Sequence, residues 1–164
     1  MSIVLGIDPG SRITGYGIVE LEGKSIAYSA SGVFRLKSSA PLHQRLIELS
    51  DDLDDLITRY KPDTAVLEEI FLARNPKSTM ILGEVRGVVL LAAARRGLEV
   101  FEYSAREVKM SVVGSGAAHK SQVSSMIQRL LKLDHEPATE DETDALAIAF
   151  CHALKVTGFG SRIV

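Results

Sequence analysis

The hydrophobic period of this 164-residue chain changes part-way along, and that change limits its fold more than any other feature. Residues 3–8, 15–21 and 25–36 read as short β-type runs marked off by glycines and charged residues, which predicts an antiparallel meander. Over residues 42–60 the apolar positions Leu42, Leu46, Leu49, Leu53, Leu56, Ile57 and Tyr60 recur every three or four residues, while Asp51, Asp52, Asp54 and Asp55 largely fill the other face. That spacing predicts an amphipathic helix. Strand and helix then alternate. The run Thr64-Ala65-Val66-Leu67 stops at Glu68-Glu69 and reads as a buried strand, Asn75-Pro76 supplies a helix start, and Gly97 ends that helix. Residues 98–103 read as a strand, and residues 104–113, 119–133 and 139–155 as helices. The expected fold is α/β: one five-stranded mixed sheet, meander first and parallel strands after, with helices on both faces. Residues 1–156 are expected to form a single domain and residues 157–164 a short, loosely held tail.

With 46% apolar residues the chain can bury a real core. No apolar run reaches the roughly 18–20 residues of a membrane helix, and the first residues carry an early acid and no basic leader, so a cytoplasmic protein is expected. The single cysteine, Cys151, excludes an internal disulfide and any site of several thiolates. Net charge is only −2, yet residues 74–132 hold 10 Lys/Arg against 4 Asp/Glu, while the segments on either side each carry a net −4. A basic middle third is a hint of polyanion binding that needs chemistry beside it.

That chemistry comes from carboxylates placed at the ends of apolar runs. Asp8 closes Ile3-Val4-Leu5-Gly6-Ile7, and Glu68 closes Ala65-Val66-Leu67. If those strands are parallel neighbours, both acids emerge at one edge of the sheet, where open α/β folds place their sites. Thr139 and Glu142 have capping-box spacing, so a helix is expected to begin there with Asp141 in its first turn. Asp144 opens a run apolar all round, Ala145-Leu146-Ala147-Ile148-Ala149-Phe150, with no Lys or Arg three or four residues away. A buried lone carboxylate needs a cation or a proton, and Asp141 and Asp144, at i and i+3, share a helix face. Oxygen ligands without cysteine or histidine partners select Mg²⁺ or Mn²⁺ over Zn²⁺. Two such ions, about 4 Å apart, suit in-line phosphoryl displacement, and the implied reaction is phosphodiester hydrolysis.

At this point the chain resembles the RuvC-type Holliday-junction resolvases over nearly its whole length. The matching motifs are Gly6-Ile7-Asp8-Pro9-Gly10-Ser11 with Thr14-Gly15-Tyr16-Gly17, Leu67-Glu68-Glu69-Ile70-Phe71, Gly83-Glu84-Val85-Arg86-Gly87, Glu107-Val108-Lys109, Val113-Gly114-Ser115-Gly116, Lys120-Ser121-Gln122-Val123 and Asp141-Glu142-Thr143-Asp144-Ala145-Leu146-Ala147. The first motif alone is weak; the ordered set is specific. The resemblance implies a ribonuclease H-like fold and a homodimer that makes paired, symmetric, Mg²⁺-dependent nicks across four-way junction DNA. It carries catalytic and metal-binding roles onto Asp8, Glu68, Asp141 and Asp144, and gives Lys120 a place at the scissile phosphate and Lys109 a DNA contact. Read alone, either lysine is an ordinary solvated side chain. Phe71 is a candidate for stacking on an opened base, against simple core packing, and Arg74 and Lys77 are candidate phosphate contacts. A RuvAB-type branch-migration partner is implied by the family only.

The helix from Asn75 speaks to assembly. Its second half, Val88-Val89-Leu90-Leu91-Ala92-Ala93-Ala94, is apolar around most of its circumference, and Gly83 and Gly87 each cost about 1 kcal/mol in helix propensity, which close approach of another helix offsets. A two-fold contact through Gly83, Gly87, Val88 and Leu91 is expected. Three other functions compete. An actin-like or sugar-kinase ATP site resembles the first motif but needs a second lobe that 164 residues do not supply. A non-catalytic junction binder has no use for intact acids, and a related nuclease acting on RNA or R-loops is separated only by substrate assays.

Overall fold

The computed structural model describes residues 1–69, 75–134 and 137–158. Three antiparallel strands come first, β1 (Ser2–Asp8), β2 (Ile13–Glu22) and β3 (Ser25–Arg35), followed by the amphipathic helix α1 (Leu42–Tyr60). Next come β4 (Thr64–Glu68), α2 (Pro76–Arg95) and β5 (Glu99–Tyr103), then α3 (Ala105–Val113), α4 (Lys120–Leu130) and α5 (Glu140–Val156). The five strands form one sheet in the order β3-β2-β1-β4-β5, with β1, β4 and β5 parallel. This is the mixed sheet that the change of period predicts. The expected helix over residues 119–133 ends early, at Leu130, because Lys132 takes a left-handed backbone with φ 50°.

Side chains alternate across the sheet and give each face its own core. On one face Leu5, Ile7, Ala65 and Leu67 pack with Leu49 and Leu53 of α1 and with Val85 and Val89 of α2. On the other, Val4 and Val66 pack with α5 and with residues of α3 and α4 such as Val108 and Ile127. Parity therefore fixes where the strand ends point. Asp8 follows Val4 and Gly6, Glu68 follows Val66, and both belong to the α5 face.

Glycine lets α5 lie directly on that face. A Cβ at Gly6 would sit 2.2 Å from the Ala145 carbonyl oxygen, and one at Gly17 would sit 2.7 Å from the Leu146 nitrogen. The middle of α5 is buried accordingly, from Ala145 to Ala153. Among the described residues no helix is long and apolar enough to cross a membrane.

Candidate active site

The parallel register of β1 and β4 pairs Ile7 with Leu67, so Asp8 and Glu68, one residue further on, end their strands at the same level. The helix α5 brings the second pair of acids to this edge. Its start is fixed by Thr139, whose hydroxyl accepts from the Glu142 N–H at 3.2 Å. The reciprocal half of the expected capping box is replaced by one local and one tertiary contact: the Glu142 carboxylate accepts from the Ala138 N–H at 2.8 Å and from the Ser31 hydroxyl of β3 at 2.6 Å. A Cβ at Gly15 would fall 2.0 Å from the Asp141 carbonyl oxygen, so that glycine lets the first turn of α5 sit against β2.

Asp8, Glu68 and Asp144 line one cavity of about 240 Å³ together with Lys109 and Lys120, backed by apolar residues such as Val123 and Ile148. Burial pushes the Asp8 carboxyl up to about 7, reinforced by Asp144, Glu68 and Asp141 in that order and opposed by Lys120. Glu68 is raised by burial and by Asp144, with Lys120 and Lys109 opposing. Lys120, the first residue of α4, donates to Asp144 Oδ2 at 2.8 Å and lies 3.8 Å from Glu140. A second hollow of about 340 Å³ shares Lys120 and Asp144 and runs along Ser124 and Thr139 to the start of α5.

Asp144, expected to be the buried lone acid, is instead 25% exposed and paired with Lys120. The apolar run after it is buried, but Asp144 stands at the open end of that run, and its cation comes from a different helix. The deeply placed acid is Asp8. Asp141 adds to the potential at Asp8 as the weakest of the three neighbouring acids and does not line the cavity. Lys77 is exposed on the first turn of α2, away from the cavity, and Phe71 and Arg74 lie outside the described residues. On α2, Gly83, Gly87 and Leu91 are exposed, whereas Val88 is partly turned into the core. Sequence reasoning missed Ser31 and the packing role of Gly15; the period-two spacing of Gly15 and Gly17 on one strand face was the available signal for a closely packed helix.

The donor set consists of carboxylate oxygens lining one cavity beside Lys109 and Lys120, and all-oxygen ligands of this kind fit a hard divalent cation. Among the described residues no group of three acids, histidines or cysteines is closed around a single point, and the Lys120 ammonium neutralises Asp144. The model of one protein family, crossover junction endodeoxyribonuclease RuvC, matches residues 4–152. This chain belongs to the RuvC family. It is similar to the crossover junction endodeoxyribonuclease RuvC of Pseudoalteromonas atlantica, with 49% identity over 93% of this chain and 87% of the relative. The enzyme of the same name from Legionella pneumophila is 46% identical over 99% of this chain and 93% of the relative. Among solved structures, T. thermophilus RuvC in complex with Holliday junction substrate superposes with a TM-score of 0.90 at 29% identity, covering 97% of each chain. The fold is ribonuclease H-like, and the family is one of metal-dependent nucleases.

Proposed function

We propose that this chain resolves four-way DNA junctions by paired, symmetric phosphodiester cleavage, using Asp8, Glu68, Asp141 and Asp144 to hold two Mg²⁺ ions. The observation that carries the reading is the meeting of Asp8 and Glu68, from parallel strand ends, with Asp144 of α5 in one cavity, where burial and then neighbouring acids raise the proton affinity of Asp8 and of Glu68. Bound there, divalent ions would activate water and stabilise the leaving oxygen of an in-line displacement, with Mn²⁺ as a substitute.

The chain's own residues supply position and charge. Asp8 and Glu68 are set by the sheet and cannot retreat from each other without disturbing the register of β1 and β4. The apolar wall of Val123 and Ile148 keeps water off one side of the acids. Lys120 has a 64% exposed side chain, so with divalent ions held by the acids its ammonium would be free to leave Asp144 and reach a phosphate oxygen. Lys109, on the same cavity, takes a neighbouring phosphate, and Phe71, Arg74 and Lys77 extend the DNA contact.

Paired cuts need two sites related by symmetry, and the outer face of α2 is suited to a two-fold contact. Met80 is 68% exposed and Leu91 53% exposed, and a Cβ at either Gly83 or Gly87 would meet nothing within 4 Å. Leu91→Glu should therefore yield monomers by light scattering without unfolding; Val88 is the poorer probe because it also packs in the core. A RuvAB-type branch-migration complex is the expected protein partner.

The decisive experiment incubates the protein and Mg²⁺ with a synthetic four-way junction, linear duplex DNA and an RNA–DNA hybrid, and resolves the products on a denaturing gel. Symmetric nicks confined to the junction are expected. Cleavage of the hybrid alone would move the substrate to RNA, and tight junction binding without cleavage would make the chain a structure-selective binder.

A further inference from the structure

Arg86 lies on α2, across the sheet from the acids, yet its side chain reaches the end of the strand that carries Glu68. Its Nη1 donates to the Glu68 carbonyl oxygen at 2.8 Å, and its Nη2 pairs with Glu102 of β5. The arginine side chain is only 11% exposed. Strand parity explains how one group touches both. Phe101 and Tyr103 of β5 meet His152 of α5, so the intervening residue Glu102 points to the α2 face. The pairing of β4 with β5 ends at Glu68 opposite Tyr103, with one further bond from the Glu69 N–H to the Tyr103 carbonyl at 2.9 Å. Arg86 therefore grips the last peptide of β4 at the point where the sheet gives out.

We propose that Arg86 is a positioning residue for Glu68, fixing the terminal peptide of β4 and through it the direction of the Glu68 carboxylate into the cavity it shares with Asp8 and Asp144. The inference rests on the reading of Glu68 as a metal-binding acid. With Glu102 43% exposed, the ion pair is open to solvent on one side and contributes little net stability, so its value is geometric. The planar guanidinium suits it: one nitrogen serves a carbonyl while another serves a carboxylate, in a fixed fork that a lysine ammonium does not reproduce. Glu102 holds the fork, and the fork holds the strand end.

The test measures Mn²⁺ binding by calorimetry, with the metal alone and no DNA, for the intact protein and for Arg86→Met, Arg86→Lys, Glu102→Gln and Glu68→Gln. Junction affinity in chelator and thermal midpoints are measured beside it. Arg86→Met should weaken Mn²⁺ binding roughly 10- to 100-fold, the range for groups that orient metal ligands from behind, while junction affinity in chelator stays at the wild-type value. Arg86→Lys should recover part of the loss, and Glu102→Gln, which keeps the bond to the Glu68 carbonyl, should cost a few-fold at most. Saturating Mn²⁺ should restore much of the cleavage rate of Arg86→Lys. Wild-type Mn²⁺ affinity in folded Arg86→Met, beside a weakened Glu68→Gln, overturns the positioning role alone; wild-type affinity in Glu68→Gln overturns the metal-site reading and this inference with it. If Arg86→Met fails to fold, Arg86→Lys decides: unchanged Mn²⁺ affinity refutes the role, and weakened affinity at an unchanged thermal midpoint supports it.

Discussion

At one end of the sheet α5 borders a hollow of about 600 Å³, where β1, β4 and β5 begin; at the other end, where β1 and β4 finish, it borders the acid-lined cavity of about 240 Å³. In the larger hollow the polar side chains answer one another. The Tyr103 hydroxyl and His152 Nδ1 lie 2.9 Å apart, Lys155 sits 3.9 Å above the Tyr103 ring and donates to Glu107 at 2.8 Å, and Asp63 accepts from the Ile3 N–H at 2.8 Å. Burial, then Lys155, holds His152 below its ordinary value. In the smaller cavity Asp8, Glu68 and Asp144 face one another across a single close ion pair, and the balance of charge falls on Asp8. Volume marks the first hollow and uncompensated charge marks the second. Uncompensated charge is the better guide to chemistry, because folding alone gives no reason to collect it.

The largest break in that contrast comes from removing the charge. Asp8→Asn should lower junction cleavage by about 10²- to 10³-fold, the scale for loss of a primary electrostatic group, while junction binding persists. In chelator at pH 8 the same variant should melt higher than wild type, by about 2–4 °C for each kcal/mol of repulsion relieved, and Mg²⁺ should narrow or reverse the difference by stabilising only the wild type. A lower melting point in chelator would mean that Asp8 is not strained by its neighbours. Gly15→Ala comes next. Its Cβ would fall 2.0 Å from the Asp141 carbonyl, so α5 must lift from β2. A destabilisation of about 1–3 kcal/mol is expected in urea titration, with a larger fractional loss of cleavage than of junction affinity.

The sheet was legible because each strand carried its own signal. Short β-type runs set off by glycines and charges, acids at the ends of the first two parallel strands and a clear change to helical spacing left few alternatives for residues 2–69. Asp8 and Glu68 were legible for the same reason: their places follow from strand length and parity. Asp144 was half-legible. The apolar run beyond it showed that α5 is buried, but its partner Lys120 lies 24 residues earlier, and no local spacing announces a contact between the starts of two helices. The Ser31 to Glu142 bond, spanning 111 residues, and the Arg86 to Glu68 carbonyl bond were out of reach for the same reason. A side chain bonding to a distant main-chain oxygen leaves no mark on hydrophobic period. The end of α4 was missed because a left-handed lysine, Lys132, does the work for which glycine is the readable sign.

The smaller effects belong to the larger hollow and sharpen the contrast from its side. His152→Phe keeps the packing against Phe101, whose ring centroid lies 4.6 Å away, but removes the partner of the Tyr103 hydroxyl. A loss of about 1 kcal/mol is expected, with cleavage per folded molecule unchanged. Smallest of all, and visible only in acid, is the Lys155 to Glu107 pair. The Lys155 ammonium, ahead of the Ser104 N–H and hydroxyl, holds the Glu107 carboxyl down to about 2. A folded-state value below the unfolded one means that the native state favours the ionised form. Its contribution is fully present above about pH 4.5 and is lost as the pH falls toward 2. Lys155→Met should therefore flatten the acid limb of the stability profile between those values. At pH 7 it should change stability by no more than about 0.5–1 kcal/mol, because both side chains of the pair are over a third exposed. Unfolding followed by circular dichroism from pH 2 to pH 7 checks this. An unchanged acid limb would show that the Ser104 contacts hold Glu107 by themselves, and a simultaneous loss of junction cleavage at pH 7 would show that the two ends of the sheet are coupled through α5.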